Sequence, residues 1–499
     1  MVASRLTPSR YQQEIYDWLR QGEGDALVDA VPGSGKTATL VEAARRLPGG
    51  RGLFLAFNRH IAEELRRRLP PSMEASTIHG MGLKALVRAG IHAPIDPQKY
   101  RKLTRAYVER TLPHGDGNKS ASDVADLITP VVSLAQLTLT DAADPGALWR
   151  MAADYDLDLS AWEHTAPAVR TILACGIEVR QEAIDYRDMV WLPYALGLTP
   201  PGYDWVMVDE AQDLNAAQRE LVLSARRAGG RVVVVGDRRQ SMYRFAGADS
   251  RSMGRIADRT GATLLPLSIS YRLPRSHARL VNTVYDTVES PPWAREGTIQ
   301  TLDEAAALGM IAPGDMVLCR TNAPLVAMAY RLIRRGVPAR ARGRDIGVGL
   351  VALVRTLARR SGFTMARLAG ALDAHVRHLE HELQSASGGR GSEERIAMAV
   401  AAAQDRAATI LAIAQEARPH DAEALIAAIT DIFTGDEDGR CVLLSTVHKA
   451  KGLEADRVWI IAPQTMPHPK AKTPDQIEQE DNIRYVAYSR AKEMLTFLA

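Results

Sequence analysis

The stretch LVDAVPGSGKT, residues 27–37, decides the fold of this 499-residue chain. It starts as a short apolar strand, turns through two glycines, and runs into TLVEAA, residues 39–44, which has the rhythm of a helix. A strand, a glycine loop and a helix in this order bind phosphate, because the glycines let backbone N–H groups curl around an anion at the positive end of the helix dipole. The stretch therefore predicts an α/β fold built around a phosphate-binding loop.

The side chains of this loop extend the prediction to a nucleotide. Lys36 can neutralise β- and γ-phosphate oxygens, and the Thr37 hydroxyl can ligate Mg²⁺. Ala30 stands at the first position of the pattern, where the strict form has glycine. The residues expected to contact the nucleotide here are Ala30, Gly33, Ser34, Gly35, Lys36 and Thr37.

Carboxylates and an amide follow two further apolar strands. WVMV, residues 205–208, ends in Asp209 and Glu210, and the next strand is followed by Gln240. At the end of a strand, Asp209 is placed to hold Mg²⁺ together with Thr37. Glu210 can polarise an attacking water, and Gln240 can sense the γ-phosphate or that water. The sequence therefore predicts an ATP hydrolase that uses ATP and Mg²⁺, with Thr37 and Asp209 as metal ligands.

Two other nucleotide-binding classes fit less well. Guanine-reading proteins with this loop carry an Asn-Lys-x-Asp element, and the nearest candidate, NKSA at residues 118–121, lacks its carboxylate. A small-molecule kinase would need neither a second α/β lobe nor the aromatic residues described below. The sequence favours an ATP hydrolase over both.

Short apolar runs along the chain fall into two clusters. The first cluster has runs at 27–30, 53–57, 206–208 and 232–235, and the second has runs at 264–267, 316–319, 442–445 and 458–461. Such runs without alternation, linked by helical stretches, are typical of buried strands in parallel sheets. Between the runs of each cluster lies a region whose apolar residues fall at helical spacing. We therefore expect two α/β lobes with parallel sheets, each interrupted by a mainly helical insertion.

The expected boundaries follow from these clusters. The first lobe comprises residues 1–84 and 182–265, with the insertion at 85–181. The second lobe comprises residues 266–346 and 440–499, with the insertion at 347–439.

Composition excludes several other classes of protein. Three cysteines without CxxC spacing cannot supply a disulfide framework, a four-cysteine zinc site or a four-cysteine iron–sulfur cluster. No uncharged run approaches the roughly 20 residues of a membrane span, and the amino terminus lacks a signal-peptide core. A formal net charge of +3 permits nucleic-acid binding through local basic tracks. We expect a cytoplasmic protein that does not contact a membrane.

Taken in order from about Leu6 to Leu495, these segments resemble the superfamily 1 DNA helicases of the UvrD/Rep/PcrA type. SISYRLPRS, residues 268–276, is similar to the family's Asn-Tyr-Arg-Ser motif, with Ser270 in place of Asn. TVHKAKGLE, residues 446–454, and NIRYVAYSRA, residues 482–491, resemble two later motifs of the family. The resemblance implies two RecA-like P-loop lobes that hydrolyse ATP.

The resemblance also assigns roles to residues beyond the phosphate loop. Gln12 looks like the adenine-reading glutamine, although Gln13 is an equally possible register. Glu454 is expected at the ribose or the triphosphate. Arg272 and Arg490 are expected to reach across the cleft to the γ-phosphate, where a planar guanidinium stabilises charge as the lobes close.

Single-stranded nucleic acid is held by aromatic rings against bases and by polar groups against phosphates. Several residues of these kinds stand beside the ATP motifs or at the family's contact positions. Phe57 could equally be a core residue at the end of a strand. The candidates for contact with the strand are Phe57, Asn58, Thr77, His79, Tyr186, Tyr243, Phe245, Tyr271 and His448.

Two features leave alternatives open. Ala246 stands where the family has an arginine after the aromatic residues, so either Arg244 substitutes for it or the link between the γ-phosphate and the strand is weakened. Arginines also cluster at 331, 334, 335, 340, 342 and 344. That cluster could contact duplex phosphates or simply form a solvated helix face.

The function implied by the resemblance is ATP-dependent translocation on single-stranded DNA and DNA unwinding, with 3′ to 5′ polarity and stepping by ATP-driven closure of the two lobes. The alternatives are an ATP-regulated clamp on single strands and a translocase subunit of a larger repair or defence complex. Expected partners are single-stranded DNA and DNA junctions, bound by a monomer. Because the last motif ends close to Ala499, we expect any nuclease or other protein partner to be a separate chain. Roles in DNA repair, DNA replication, phage or plasmid biology and defence all remain open.

Overall fold

The computed structural model describes residues 7–112, 120–155, 157, 162–241, 251–386, 393–434, 441–469 and 471–499. The chain divides into two compact units, which we name unit 1, Met1–Ile269, and unit 2, Ser270–Ala499. Each unit is built on its own six-stranded sheet.

The sheet of unit 1 is parallel throughout. Its strands are β1 (Ala26–Ala30), β2 (Gly52–Ala56), β3 (Met73–Thr77), β4 (Tyr203–Val208), β5 (Arg226–Gly236) and β6 (Thr263–Leu267). They lie in the order β3-β2-β4-β5-β1-β6. Successive residues of β1, such as Leu27 and Val28, belong to different buried clusters, because neighbouring side chains of a strand point to opposite faces. Both faces are covered, so the strands read as apolar runs.

The run at 264–267 was expected in the second sheet, and this expectation is wrong. Strand β6 pairs in parallel with β1, with Ala30 opposite Leu267. The Val31 N–H donates to the Leu267 carbonyl oxygen at 3.1 Å, and Leu267 is fully buried in unit 1. A short apolar run indicates a strand but carries no information about which sheet it joins.

Helices cover the sheet of unit 1 and form its insertion. They are α1 (Arg10–Gln21), α2 (Lys36–Arg45), α3 (Arg59–Arg68), α4 (Ile78–Arg88), α5 (Lys99–Thr111), α6 (Ala121–Thr138), α7 (Pro145–Asp154), α8 (Trp162–Glu178), α9 (Asp188–Ala195), α10 (Ala216–Ser224) and α11 (Ser252–Thr260). Helices α5 to α8 pack around a core of their own that includes Tyr100, Ile128 and Val169. In the described part of the predicted insertion, loops connect these four helices and a 3₁₀ turn follows α8. Ile95 of the insertion forms an isolated parallel bridge with Ile184, just beyond its predicted end.

The sheet of unit 2 is also parallel. Its strands are β7 (Thr298–Leu302), β8 (Met316–Cys319), β9 (Ala339–Ala341), β10 (Val442–Thr446), β11 (Ala455–Ile460) and β12 (Ala491–Leu498). They lie in the order β7-β12-β11-β8-β10-β9. The central strand β8 is buried along its whole length.

Eight helices complete the described part of unit 2: α12 (Arg275–Asn282), α13 (Glu304–Met310), α14 (Asn322–Arg334), α15 (Arg344–Ala358), α16 (Leu368–Ala386), α17 (Glu393–Ala417), α18 (Ala422–Thr434) and α19 (Pro474–Tyr488). Helices α15 to α18 lie between β9 and β10 and share one apolar core with the sheet. The predicted fold class, two parallel-sheet α/β lobes with mainly helical insertions, is confirmed. Across the described helices, no segment is both long and apolar enough to cross a membrane.

The strand order of unit 1 positions its predicted nucleotide residues. Strands β4, β5 and β1 are neighbours, with Val208 opposite Val234 and Asp29 opposite Gly236. The carboxyl ends of parallel strands meet at one edge of a sheet, where ligands bind in open α/β folds. The phosphate loop and the segments that follow Val208 and Gly236 therefore share that edge.

Candidate functional site

The phosphate loop has the backbone that its glycines predicted. Gly33 and Gly35 adopt φ angles of 74° and 78°, a left-handed conformation that favours glycine. Helix α2 begins directly afterwards at Lys36. The Ser34 hydroxyl is buried and has no hydrogen-bond partner among the described residues. A buried polar group without a partner is costly, and the hydroxyl therefore fits a site that receives a polar ligand.

Side chains of the loop meet the two carboxylates that follow β4. The Thr37 hydroxyl donates to Asp209 Oδ2 at 2.5 Å, and Lys36 Nζ lies 3.3 Å from Glu210 Oε1. Asp209 Oδ1 accepts from the Glu210 backbone N–H at 2.9 Å. Glu210 has a φ angle of 54°, an uncommon conformation for a residue other than glycine. The structure thus brings together two pairs of residues, and the two members of each pair lie more than 170 positions apart in the sequence.

Burial and mutual repulsion dominate the electrostatics of this edge. Burial, and then the Glu210 carboxylate, raise the pKa of Asp209 to about 6, and Lys36 and the Thr37 hydroxyl oppose that rise. Burial also raises the pKa of Asp237. For Lys36, burial acts to lower the pKa, but Glu210, Asp237 and Asp209 together raise it. The edge therefore carries crowded negative charge, which Lys36 and Arg239 partly offset.

The donor set at this edge fits Mg²⁺. Mg²⁺ prefers hard oxygen ligands and is usually held by one or two protein groups together with phosphates and water. Thr37 and Asp209 supply a hydroxyl and a carboxylate that are already in contact. Within the described residues, no group of three or more His, Cys, Asp or Glu side chains is arranged to hold a metal ion.

Gln240 lies at the same edge of the sheet and forms a hydrogen bond there with Asp237. Its Nε2 donates to Asp237 Oδ2 at 2.8 Å, and Asp237 is fully buried. Asp237 directly follows β5, so its carboxylate joins the end of the strand to the glutamine. Sequence analysis did not single out Asp237, although its position one residue after a buried strand matches that of Asp209.

Gln12 and Gln13 have different surroundings. Gln12 Nε2 donates to the Thr39 hydroxyl of α2 at 3.0 Å, and its Oε1 accepts from the Ser9 backbone N–H at the start of α1. Gln13 Nε2 donates to Asp17 one turn further along the same helix. Gln12 is therefore the glutamine that contacts the helix following the phosphate loop.

Four of the unit 1 residues predicted to contact single-stranded nucleic acid lie near the carboxyl ends of β2 and β3. Ala56 lies opposite Thr77, and Phe57 follows β2 with 59% of its surface exposed. The Thr77 hydroxyl accepts from the Gly80 N–H and caps α4. Burial lowers the pKa of His79, and the nearby Asp185 carboxylate opposes this. The exposure of Phe57 is unlike that of a core residue.

Two further candidates of unit 1 differ in their surroundings. Asn58 caps α3, because its Oδ1 accepts from the Ile61 N–H at 2.9 Å. Tyr186 follows Asp185 and is 56% exposed. Tyr243 and Phe245 lie outside the described residues, as do Arg244 and Ala246.

Unit 2 holds Arg272 and Glu454 in direct contact. Arg272 Nη1 donates to Glu454 Oε2 at 2.7 Å, and Arg272 Nη2 donates to the Ser489 carbonyl oxygen at 3.2 Å. Lys492 Nζ lies 3.0 Å from the second Glu454 oxygen. These two cations lower the pKa of Glu454 against the opposing effect of burial, the largest single influence on it. Ser270, which replaces the family's Asn, is fully buried, and its hydroxyl accepts from the Leu273 N–H.

Tyr271 stacks on a residue that sequence analysis missed. Its ring is 6.5 Å from that of Trp293 with an interplanar angle of 22°, and Trp293 is 72% exposed. No motif surrounds Trp293 in the sequence, so its pairing with Tyr271 could not be read from spacing.

In unit 2, Arg490 is fully buried and His448 is half-buried. The Arg490 guanidinium donates to the carbonyl oxygens of Val486 and Leu453 and to the Ser489 hydroxyl at 2.8–3.1 Å. Burial, with a smaller contribution from Arg320, lowers the pKa of His448 to about 3. His448 is therefore neutral at pH 7.

Part of the arginine cluster that begins at residue 331 forms ion pairs. Arg331 pairs with Glu304, and Arg334 Nη1 lies 2.7 Å from Glu416 Oε2. These contacts favour the solvated helix face over a duplex contact for the two arginines.

Comparison with known proteins adds independent information. A family model described as an AAA domain matches residues 21–246, and a model described as the UvrD-like helicase C-terminal domain matches residues 409–499. F-box DNA helicase protein 1 of Schizosaccharomyces pombe is 23% identical over 534 residues, which cover 97% of this chain and 56% of that protein. ATP-dependent DNA helicase PcrA of Leuconostoc citreum is 24% identical over 306 residues, which cover 55% of this chain and 39% of that protein.

This chain therefore spans about half the length of the curated relatives that it matches, or less. Among solved structures, the Arterivirus nonstructural protein 10 helicase covers 98% of this chain and 61% of its own, with a TM-score of 0.33 and 11% identity. The two family models fall on the two units, and the AAA match includes the phosphate loop with Asp209 and Glu210. The two family models and these relatives together support a superfamily 1 helicase of the UvrD/PcrA type.

Proposed function

We propose that this chain is an ATP-driven translocase on single-stranded DNA and a DNA helicase that moves 3′ to 5′. The observation that carries the proposal is the contact of Lys36 and Thr37 with Glu210 and Asp209 at one edge of the sheet in unit 1. The DNA helicases among its relatives support the choice of DNA as substrate, and the polarity rests on the family resemblance.

Hydrolysis is assigned to residues of unit 1. Glu210 would accept a proton from the water that attacks the γ-phosphorus, while the bond from that phosphorus to the β–γ bridging oxygen breaks and ADP leaves. Lys36 would offset negative charge on the β- and γ-phosphate oxygens. Mg²⁺ held by Thr37 and Asp209 supplies further positive charge when bound. Gln240 would orient the attacking water.

Arg272 and Arg490 of unit 2 are proposed to stabilise charge on the γ-phosphate during hydrolysis. Arginines in this role contribute roughly 10³- to 10⁵-fold in rate. The buried contacts of Arg490 with backbone oxygens fix the plane of its guanidinium. Arg490→Ala should retain ATP binding and lose hydrolysis, which a nucleotide-binding titration and a phosphate-release assay would measure separately.

Contact with the single-stranded DNA is assigned to the exposed aromatic residues, chiefly Phe57 and Tyr186. Aromatic rings stack on bases without regard to sequence, as a translocating protein requires. Opening one base-pair step costs about 1.4 kcal/mol on average, which is small beside the free energy of a nucleotide cycle. ATP-driven closure would bring the two lobes together, and the lobes would hold the DNA strand alternately. Each cycle of hydrolysis would then move the protein along the DNA and unwind it.

The proposal is tested by phosphate release from ATP with single-stranded DNA, duplex DNA and RNA, together with unwinding of forks that carry a 3′ or a 5′ tail. Lys36→Ala and Glu210→Gln should abolish strand-stimulated hydrolysis and leave strand binding largely intact. Lys102→Ala is the matched control, because Lys102 is an exposed lysine of the helical insertion that pairs with Asp96.

Each outcome distinguishes a different function. Wild-type turnover in both variants would overturn the site. ATP-dependent changes in strand affinity without any hydrolysis would identify a clamp. Hydrolysis without unwinding of either fork would identify a translocase without helicase activity, and preference for the 5′ tail would reverse the polarity.

A further inference from the structure

Gln212 lies in the 3₁₀ turn Ala211–Asp213, two residues after Glu210, and only 1% of its surface is exposed. Both ends of its side-chain amide are engaged. Nε2 donates to Glu210 Oε2 at 2.6 Å, and Oε1 accepts from the Asp237 backbone N–H at 3.1 Å. A single buried amide therefore links the carboxylate after β4 to the backbone after β5.

The orientation of this amide follows from its neighbours. The Asp237 backbone N–H can only donate, so it must face the amide oxygen. The amide NH₂ then faces the Glu210 carboxylate, which can only accept when it is ionised. Both contacts are satisfied in one orientation, and the flipped orientation would satisfy neither.

Gly236 leaves the space that the amide occupies. A Cβ atom at Gly236 would lie 2.2 Å from Gln212 Oε1 and 3.1 Å from the Gln212 backbone nitrogen. A side chain at this position would therefore push the amide away from Asp237. The close fit holds Gln212 in the conformation that reaches Glu210.

The link continues from Asp237 to Gln240. Asp237 accepts from Gln240 Nε2 at 2.8 Å. Glu210, Gln212, Asp237 and Gln240 thus form a continuous series of hydrogen bonds between the residue assigned as base and the residue assigned to orient the water.

We infer that Gln212 is a positioning residue for ATP hydrolysis, which holds the Glu210 carboxylate in register with the segment that carries Gln240. The inference rests on the proposed function. Lys36 competes for the same carboxylate, since its Nζ lies 3.3 Å from Oε1. Lys36 Nζ also lies 3.4 Å from Oε2, so the lysine approaches both oxygens, and the shorter 2.6 Å hydrogen bond from Gln212 Nε2 fixes the rotation of the carboxylate beside it.

Two substitutions separate this role from packing. Gln212→Met removes both hydrogen bonds at similar volume. Gln212→Glu keeps an oxygen for the Asp237 N–H but replaces the donor to Glu210 with a second carboxylate. Gln218→Met is the matched control, because Gln218 lies on the next helix and its amide serves the start of α10 through Asn215.

We expect both Gln212 variants to lower kcat for strand-stimulated hydrolysis by roughly 10- to 100-fold, because misplaced catalytic groups lose rate on this scale. ATP binding should match that of the control, and both variants should stay folded at the assay temperature, although the loss of buried hydrogen bonds lowers their melting temperatures. In a Glu210→Gln background, followed under single-turnover conditions, Gln212→Met should cause no further loss, because the residue would act through Glu210.

The inference is overturned if Gln212→Met retains wild-type kcat, if its effect is equally large in the Glu210→Gln background, or if ATP binding falls with kcat in both variants. A wild-type chain that does not hydrolyse ATP in the presence of DNA would overturn the proposed function itself and the inference with it. A wild-type chain that does so, with unaffected Gln212 variants, would overturn the inference alone.

Discussion

Arg239 and Asp29 form an ion pair at the carboxyl edge of the sheet in unit 1, with Arg239 Nη1 3.3 Å from Asp29 Oδ1. Asp29 lies in β1, one residue before its end, and Arg239 directly precedes Gln240. Arg239 Nη1 is also 3.8 Å from Asp237 Oδ1. The pair therefore ties the strand that leads into the phosphate loop to the segment that carries Gln240.

We predict that Asp29→Asn and Arg239→Met each lower the free energy of unfolding by about 1 kcal/mol. The pair is mostly buried, so either single change leaves a charge in a partly desolvated place without this partner. The double variant should be more stable than the sum of the single effects implies, as urea unfolding would measure.

The exposed pair Arg59–Glu63 on α3 provides the control, because pairs of this kind couple by about 0.3–0.5 kcal/mol. Equal coupling in the two pairs would show that burial adds nothing to the Arg239–Asp29 contact. In that case the pair would not tie the two segments together.

Asp209 should make the nucleotide-free protein less stable as the pH rises. Its folded-state pKa of about 6 lies above the ordinary aspartate pKa of 3.8, so folding favours the protonated carboxyl. This contribution is complete below about pH 4 and is lost as the pH rises through 6. Without nucleotide or Mg²⁺, Asp209→Asn should therefore melt above the wild type at pH 8 and close to it at pH 4.

Adding Mg²⁺ and ATP at pH 8 should reverse this difference, because the ligands stabilise the wild type through a carboxylate that the variant lacks. Thermal melts at the two pH values check the prediction, with the exposed Asp456→Asn as the control. A variant that melts below the wild type at pH 8 without ligands would show that the buried charge is compensated.

Lys99 and Asp188 form a buried ion pair in unit 1, with side chains 2% and 0% exposed and Nζ 2.6 Å from Oδ2. Lys99 also donates to the Gly176 carbonyl oxygen, and the Tyr100 hydroxyl donates to Asp188. Burial raises the pKa of Asp188, and Lys99 opposes this. Lys99→Met should lower the free energy of unfolding by about 3–5 kcal/mol, because it leaves a buried carboxylate without its cation.

Urea unfolding measures this loss, and Lys102→Ala should lose less than about 1 kcal/mol because its pair with Asp96 is largely exposed. Similar losses in the two variants would contradict the argument from burial. Because Asp188 Oδ2 also accepts from the Asp185 backbone N–H, the pair helps to fix the turn that carries Tyr186.

Sequence patterns predicted the local elements of this protein well. The phosphate loop, Asp209 and Glu210 could be found because each follows an apolar strand, and parallel strands bring their carboxyl ends to one edge. The sequence did not show which sheet β6 joins, because strand order depends on long-range pairing such as that of Ala30 with Leu267. Gln212 was missed for a related reason, because its role depends on a backbone N–H at position 237 that no local pattern identifies.

The last prediction concerns the exposed aromatic residues of unit 1. Phe57→Ala and Tyr186→Ala should each weaken binding to a single-stranded oligonucleotide by about 1–3 kcal/mol, or roughly 5- to 150-fold in Kd, because each removes one stacking surface. Fluorescence anisotropy with labelled oligo(dT) measures this. Tyr194→Ala is the matched control, since Tyr194 is 55% exposed on α9 and has no assigned role. Because all three rings are largely exposed, melting temperatures should stay unchanged. Equal affinities for the Tyr186 and Tyr194 variants would show that Tyr186 does not contact the DNA. The result for Phe57→Ala would then test Phe57 independently.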